Sequence, residues 1–592
     1  MKTFKKSFLL LGVVAILFTS CVQDLDVVPN DPNNIQYFDQ NGVFTKIYST
    51  LALTGQSGPA GNGDVEGIDE GVSAFIRMIW ELNEFPTDEG WWIWNGDAGL
   101  PDVRVISWTA VNPLISGIYY RLYFDVSLCN HFLENASAEG DGATQIAEAR
   151  FIRALNYYYL LDMFGSVPFA LEVSEAAKPQ LSRKELFDWL EAELKDLEGT
   201  ITADEFNALQ KTVVKNFTWD AITRTLPDAR LNDYRVDKVA AQMLLARMYL
   251  NAEVYTGTEQ WAKAEAYADK VINSQYKMHT TSTAGNYSAY QELFMGDNHK
   301  YIGGNGEGIL NIYQDGIMAQ NWGGARFMCS AFRDAGFNYF GITDTWSCFR
   351  TSPEFIDKWV AVESIKMDTT IEVDTVKHTM KDFVIAKAPY RTDNEFAMPA
   401  ILNDDRAIMR SWNGKGADVT EIKGSLANGK FYECWHVLKW TGRYSTQPQG
   451  GENVAGHSPD WPDTDIPFIR VTEAYMTKAE AMYHQGKTGE ALSLINTTIR
   501  ARANAAALPS LDEKVLCDEW CREFYCEGRR RIDLVRLGFF AGPEADAHGY
   551  TWEGRGDVAS GEAFKSLDKK YNIFPLPNSD VVVQGLKQAE GY

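Results

Sequence analysis

Trp91, Trp92 and Trp94 crowd three indoles into four positions, directly after Thr87, Asp88, Glu89 and Gly90 and directly before Asn95 and Asp97. Neither a helical nor a strand period explains them, so the stretch is predicted as a loop. Indoles on a loop are either tucked into the core or offered as a binding surface. Their flat apolar faces suit the axial C–H groups of a sugar ring, and Asn, Asp and Arg side chains fix the hydroxyls. The cluster therefore has the chemistry of a glycan platform, with a core plug as its alternative. Asn321, Trp322 and Arg326 repeat the combination and form a second candidate cluster; Trp346 is a third.

Other chemistry is thinly supported. Asn62, Asp64, Glu66 and Asp69 lie in a glycine-rich stretch and offer oxygen ligands to Ca²⁺, but their order does not match an EF-hand loop, so a solvated loop without metal is expected. Carboxylates are numerous enough that a glycosidase pair is not excluded by counting. No GxSxG, HExxH or phosphate-binding glycine loop occurs, and the histidines do not cluster. Neither a catalytic residue nor a cofactor is expected. Beyond Cys21, Cys129, Cys329, Cys348, Cys434, Cys517, Cys521 and Cys526 form no CxxC pair and read mostly as buried free thiols.

Lys2, Lys5 and Lys6 precede an apolar run from Phe8 to Phe18, too short to span a bilayer, then Thr19, Ser20 and Cys21. This reads as an export signal over 1–20, with Cys21 the acylated first residue of the mature chain, although Phe18 stands where a lipobox usually has Leu. Asp24 and Asp26 follow, and 21–36 reads as a tether. Losing the three lysines of 1–20 takes the formal net charge from −24 to −27. So acidic a body argues against nucleic acid and anionic membrane surfaces, and suits neutral ligands.

The elements that must position these residues are mainly helical. Phe44, Ile47, Tyr48 and Leu51 mark a first helix, and a second, carrying Arg77 and Trp80, is closed by Pro86. Helices are predicted over about 114–135, 145–164 and 183–197. The three- and four-residue steps of Ile146, Ala149, Ile152, Arg153, Asn156, Leu160 and Phe164 support the second of these, and Gly165 and Pro168 stop it. Residues 238–273 and 472–502 read as helical hairpins of tetratricopeptide length, the latter turning at Gly486. Between them 276–466 loses helical periodicity, and a long irregular insertion is often functional. Thr369 to Thr379 alternates as a short hairpin. In 517–538, acids interleave with the arginines, so an internal ion network is expected, Arg530 and Asp533 standing at pairing distance on a helix.

AEARFIRALNYYYLLDMFGSVPF (147–169), the 517–538 stretch CDEWCREFYCEGRRRIDLVRLG and the ending YNIFPLPNSDVVVQGLKQAEGY resemble the signature segments of the RagB/SusD family of lipid-anchored surface glycan-binding proteins. The resemblance runs from Cys21 to Tyr592. It implies a mainly α fold: a single domain over 37–592, with a helical repeat scaffold (about 37–275 and 467–540), a loop-rich insertion with short strands (276–466) packed on it, and an extended end (571–592). It also implies that the Thr87–Asp88–Glu89 segment and its aromatics border a glycan site, and that the protein lies over a TonB-dependent SusC-like transporter in the outer membrane. Two rivals stay open on the residues alone: an outer-membrane glycoside hydrolase on a helical scaffold, and a repeat scaffold that binds no glycan.

Overall fold

The helix Gly142–Met163 is buried on nearly every side. It ends where the sequence demands. Gly165 takes φ +72°, its N–H bonds Leu160 O at 3.1 Å, and Pro168 lies in a short strand beyond. The three adjacent tyrosines pack rather than reach the surface. Tyr157, for example, donates its hydroxyl to Ala170 O and accepts the Ala170 N–H, both at 2.8 Å. Arg150 is held by Glu193 (2.9 Å) and Asp196 (2.8 Å) of the neighbouring helix Arg183–Glu198. That helix starts in a Ser182–Glu185 capping box and stops at Gly199, φ +82°.

The computed structural model describes residues 38–592 outside 214–224, 333–340, 361–365, 374–375, 385–403, 413–433, 448–457 and 553–565 and the single positions 57, 175, 284, 344, 347, 459 and 551. Val43–Tyr592 form one compact unit; Met1–Gly42 form another, of which only 38–42 are described. The leader, Cys21 and the 21–36 tether lie outside the described residues.

The helices form a layered array. Pro113–Asn135 packs on Gly142–Met163, which packs on Arg183–Glu198, then Lys238–Leu250, then Trp261–Ile272. The next helix in space is Thr472–His484, followed by Thr488–Ile495 after a turn at Gly486, φ +77°. Lys478 pairs with Asp269 at 2.6 Å, Lys487 with Glu265 at 2.7 Å, and His484 stacks on Trp261 at 4.3 Å. Both hairpins expected from the sequence are present, and the whole of 276–466 is inserted between two helices that touch.

Among the described residues the strands form five two-stranded antiparallel sheets. Lys366–Val373 with Val376–Val384 is the expected hairpin. Gly308–Ile312 pairs with Ile466–Arg470 and joins the two ends of the insertion. Gly90–Trp92 pairs with Phe349–Thr351, Trp91 opposite Arg350. A Cβ at Gly90 would lie 2.0 Å from Arg350 O, so only glycine permits this approach. The chain end differs from expectation: a 3-10 turn covers Lys569–Asn572 and a helix Asn578–Gln584, so the segment is not extended throughout. Proline's fixed φ (−54° at Pro577) is compatible with the residue that opens a helix.

Buried ions bolt the insertion to the helices. Arg470 meets Glu307 (2.7 Å), Glu523 (3.0 Å) and Glu527 (2.7 Å), and Arg502 also reaches Glu307 and Glu523. Burial alone would raise the Glu307 carboxyl, but Arg502 and Arg470 outweigh it and bring it down to about 2. The expected network in 517–538 is present with different partners. Asp533 pairs with Arg529 (2.9 Å) and Arg536 (2.8 Å), while Arg530 reaches Asp88 at 2.8 Å. Such pairs add little net stability, but removing one partner strands a charge and costs about 3–5 kcal/mol. The described free cysteines, Cys129, Cys329, Cys348, Cys517, Cys521 and Cys526, are all buried.

Candidate functional site

The insertion and the Trp94 stretch meet at an aromatic cluster on the surface. Trp322 is its hub, 37% exposed. Trp461 lies 4.8 Å from it with the rings tilted by 59°, and Trp346 lies 6.2 Å away, tilted by 38°. The Arg326 guanidinium sits 5.6 Å from the Trp322 ring and 5.8 Å from the Trp346 ring, and donates to Asp460 O at 3.0 Å. The glycine-rich stretch seats the hub. Trp322 Nε1 donates to Pro59 O at 3.0 Å, and a Cβ at Gly71 would lie 2.5 Å from Trp322 Cβ.

The contacts continue across the cluster. Phe327 touches Trp346 at 6.4 Å and carries the Arg77 guanidinium 4.7 Å above its ring. Arg77 in turn binds Glu81 (2.7 Å) and Asp97 (2.9 Å). Burial lifts the Glu81 carboxyl to about 7 in spite of Arg77. Trp94 is 51% exposed, its indole lying against Gly96, where an added Cβ would be 2.3 Å from Nε1. Beside it, exposed Asn95 accepts from Arg104 (3.1 Å), which also donates to Trp92 O (3.0 Å).

Trp91 and Trp92 correct the sequence reading. They are 0% and 2% exposed and sit on the strand paired with Phe349–Thr351, not on a loop. Trp92 packs between Phe85 (5.3 Å) and Phe327 (5.6 Å), so no sugar reaches either indole. Asn321 is also internal: it is 2% exposed, its amide donates to Ala52 O (2.7 Å) and Ala319 O (3.1 Å), and its carbonyl accepts the Gly323 N–H (2.8 Å). It shapes the loop under Trp322. Arg326, 4% exposed, supports the rings from within.

The family model described as the SusD family matches residues 342–592. The starch-binding protein SusD of Bacteroides thetaiotaomicron is 36% identical over 592 residues, covering 98% of this chain and 98% of that protein. The chain belongs to the SusD family. Proteins of the SusD family bind glycans at the cell surface without catalysis, and this SusD-family protein is a glycan-binding protein, not an enzyme. The glycoside-hydrolase and glycan-free scaffold rivals fall with that. The fold agrees. A SusD-like protein from Bacteroides fragilis superposes with a TM-score of 0.60 at 16% identity, over 93% of this chain and 96% of that one. Surface glycan-binding protein A from Bacteroides thetaiotaomicron in complex with laminarihexaose gives 0.57 at 15% identity, over 93% and 98%.

In this SusD-family chain the Thr87–Asp88–Glu89 segment borders the aromatics but is itself a buried bolt. Asp88 is gripped by Arg530 (2.8 Å) and Lys358 (2.6 Å), which overcome the effect of burial and hold its carboxyl well below the usual range. Glu89 accepts the Cys526 N–H at 2.9 Å. The weak Ca²⁺ candidates disperse: Asp64 pairs with Lys46 (2.6 Å) and Arg121 (3.4 Å), and Asp69 accepts from Val72 N in a turn. Among the described residues no group of three or more His, Cys, Asp or Glu comes together to hold a metal, and no helix is long and apolar enough to cross a membrane. Sequence reasoning did not select Trp461 or Arg104. The signal for Trp461 was present, an indole between Asp460 and Pro462 in the irregular region; Arg104 carried none.

Proposed function

We propose that this protein holds a curved α-glucan of the starch type on Trp322, Trp346 and Trp461, with Trp94, Asn95 and Asp97 as further contacts, and passes it to a TonB-dependent transporter of the SusC type. The observation that carries the reading is the tilt of Trp346 and Trp461 against Trp322, with the buried Arg326 backing the Trp322 and Trp346 rings. Rings tilted by 38° and 59° present faces in different planes. A curved chain touches successive faces, whereas a flat ribbon covers only one. The 36% identical relative is a starch-binding protein, and a fold relative is in complex with laminarihexaose, which makes that glucan the right competitor. Calorimetric titration with maltoheptaose, laminarihexaose and cellohexaose is the test. Maltoheptaose is expected to bind tightest and cellohexaose weakest; equal affinities, or cellohexaose binding tightest, would defeat the curved-glucan reading.

The same proposal places residues 1–20 as a leader, acylated Cys21 as the outer-membrane anchor, and 21–36 as the tether beneath a body formed by 37–592. The apolar run before Thr19, Ser20 and Cys21 supports it, as does the family's surface location. Handover to a transporter is tested by purifying the tagged protein from detergent-solubilised outer membranes. A TonB-dependent barrel should co-purify in near-equal amount, and its absence under mild detergent would count against the pairing.

A further inference from the structure

A second recess lies beside the platform and has a different chemistry. Its volume is about 320 Å³, and its walls include Tyr48, Leu51, Ala52, Tyr234, Ile312 and Met318. None of the residues lining it carries a charge. Its phenols are already engaged elsewhere: Tyr48 donates to Glu148 at 2.6 Å, Tyr234 to Asp465 at 2.9 Å and Tyr313 to Asp315 at 3.3 Å. The amide of Asn311 donates to Asp233 O and Ile302 O at 3.0 and 3.3 Å. A sugar seated there would lose water from hydroxyls that find few partners, and an ion would be stranded. Aromatic and aliphatic surface meets no such penalty. A cavity of about 150 Å³ takes a benzene ring, so this one takes a larger group, a ring with its side arm.

We propose that this recess binds an uncharged aromatic group, as a site separate from the glycan platform. It adjoins the platform through the chain itself. Ala319 lines the recess and Trp322 is three residues on, so their Cα atoms are within about 11 Å. Asn321, next to Trp322, bonds the carbonyl of Ala52 in the recess wall at 2.7 Å. The group therefore arrives either as a free molecule or as a substituent on a glycan held by Trp322; the second source rests on the proposed function.

Methyl ferulate, which is neutral, probes the first source. Matched maltoheptaose and 4-nitrophenyl maltoheptaoside probe the second. Saturable methyl ferulate binding with a micromolar Kd is expected. Ser49→Trp, which fills the recess from its helical wall, should weaken it at least tenfold while leaving the melting temperature and maltoheptaose affinity unchanged. Tyr313→Ala removes a half-exposed wall ring, should weaken it at least threefold, and serves if Ser49→Trp does not fold. A gain of tenfold or more for the aryl glycoside over maltoheptaose, abolished by Ser49→Trp, assigns the substituent; methyl ferulate binding without that gain assigns a free molecule. No methyl ferulate binding together with no gain for the aryl glycoside, or binding undiminished in every folded variant, overturns the site. Because methyl ferulate needs no glycan, failure of the α-glucan reading leaves this arm intact.

Discussion

Replacing Trp322 by alanine separates a ligand platform from a core plug with one measured number on each side. A tryptophan has up to ~250 Å² to cover, and Trp322 keeps 37% of its surface open. That leaves ~90 Å², worth ~2 kcal/mol at ~25 cal/mol/Å² if a ligand covered all of it, and about half that if a sugar covers one face. The expected loss of affinity is therefore roughly 5- to 50-fold, since ~1.4 kcal/mol is tenfold. Salt should change it little, because a neutral glycan recruits no ion pair. Trp91, at 0% exposure, offers a ligand nothing. Trp91→Ala should instead cost about 3–5 kcal/mol of stability through the cavity it leaves. Each variant is to be measured by maltoheptaose titration and by thermal unfolding. If Trp322→Ala binds like the parent, or Trp91→Ala loses binding at an unchanged melting point, the assignment of surface and core is wrong.

Gly165→Val should destabilise the fold by about 2–5 kcal/mol without touching binding in the surviving folded fraction, because φ +72° disfavours a β-branched residue and the new Cβ would lie 2.7 Å from Ile573 Cδ1; an unchanged denaturation midpoint would refute this. Glu81 titrates near 7 when folded against an ordinary 4.5, so the native state holds the extra proton between these values and the Glu81 contribution falls as pH rises through that window. Glu81→Gln should flatten the decline of stability between pH 4.5 and 7, to which Asp125 and Asp465, also lifted to about 7 chiefly by burial, add their own slope; an unaltered slope in denaturant titrations would show that Glu81 is not the group. Cys21→Ser should release the protein from the membrane fraction, and retention there would remove the lipid-anchor reading.

What the sequence revealed and what it hid differ in range. The stop at Gly165 and Pro168, the turn at Gly486 and the hairpin around Thr369–Thr379 are written within a few residues, and each is found in place. Trp91 and Trp92 misled because their burial is imposed from outside the stretch: their strand partner is Phe349–Thr351. The Asp88–Arg530 pair spans 442 residues, and no local pattern could say that Thr87–Asp88–Glu89 faces inward. Composition did pick out indoles that keep contact with solvent: Trp94 and Trp322 are exposed and Trp346 is half-buried. It could not separate Trp461 from the other scattered indoles, because only the tertiary contact with Trp322 does so.

The seam between Trp261–Ile272 and Thr472–His484 sets an order of events for a chain emerging from one end. The face of the first helix waits for a neighbour about 200 residues further on, which arrives only after the whole insertion has emerged. A fragment ending near 275 is expected to leave that face open to protease, whereas a fragment reaching 502 should protect it; protection of the shorter fragment would show that the face needs no partner. The 276–466 insertion is thus looped out before the scaffold can shut, and an error within it holds open the helical array on which everything else rests.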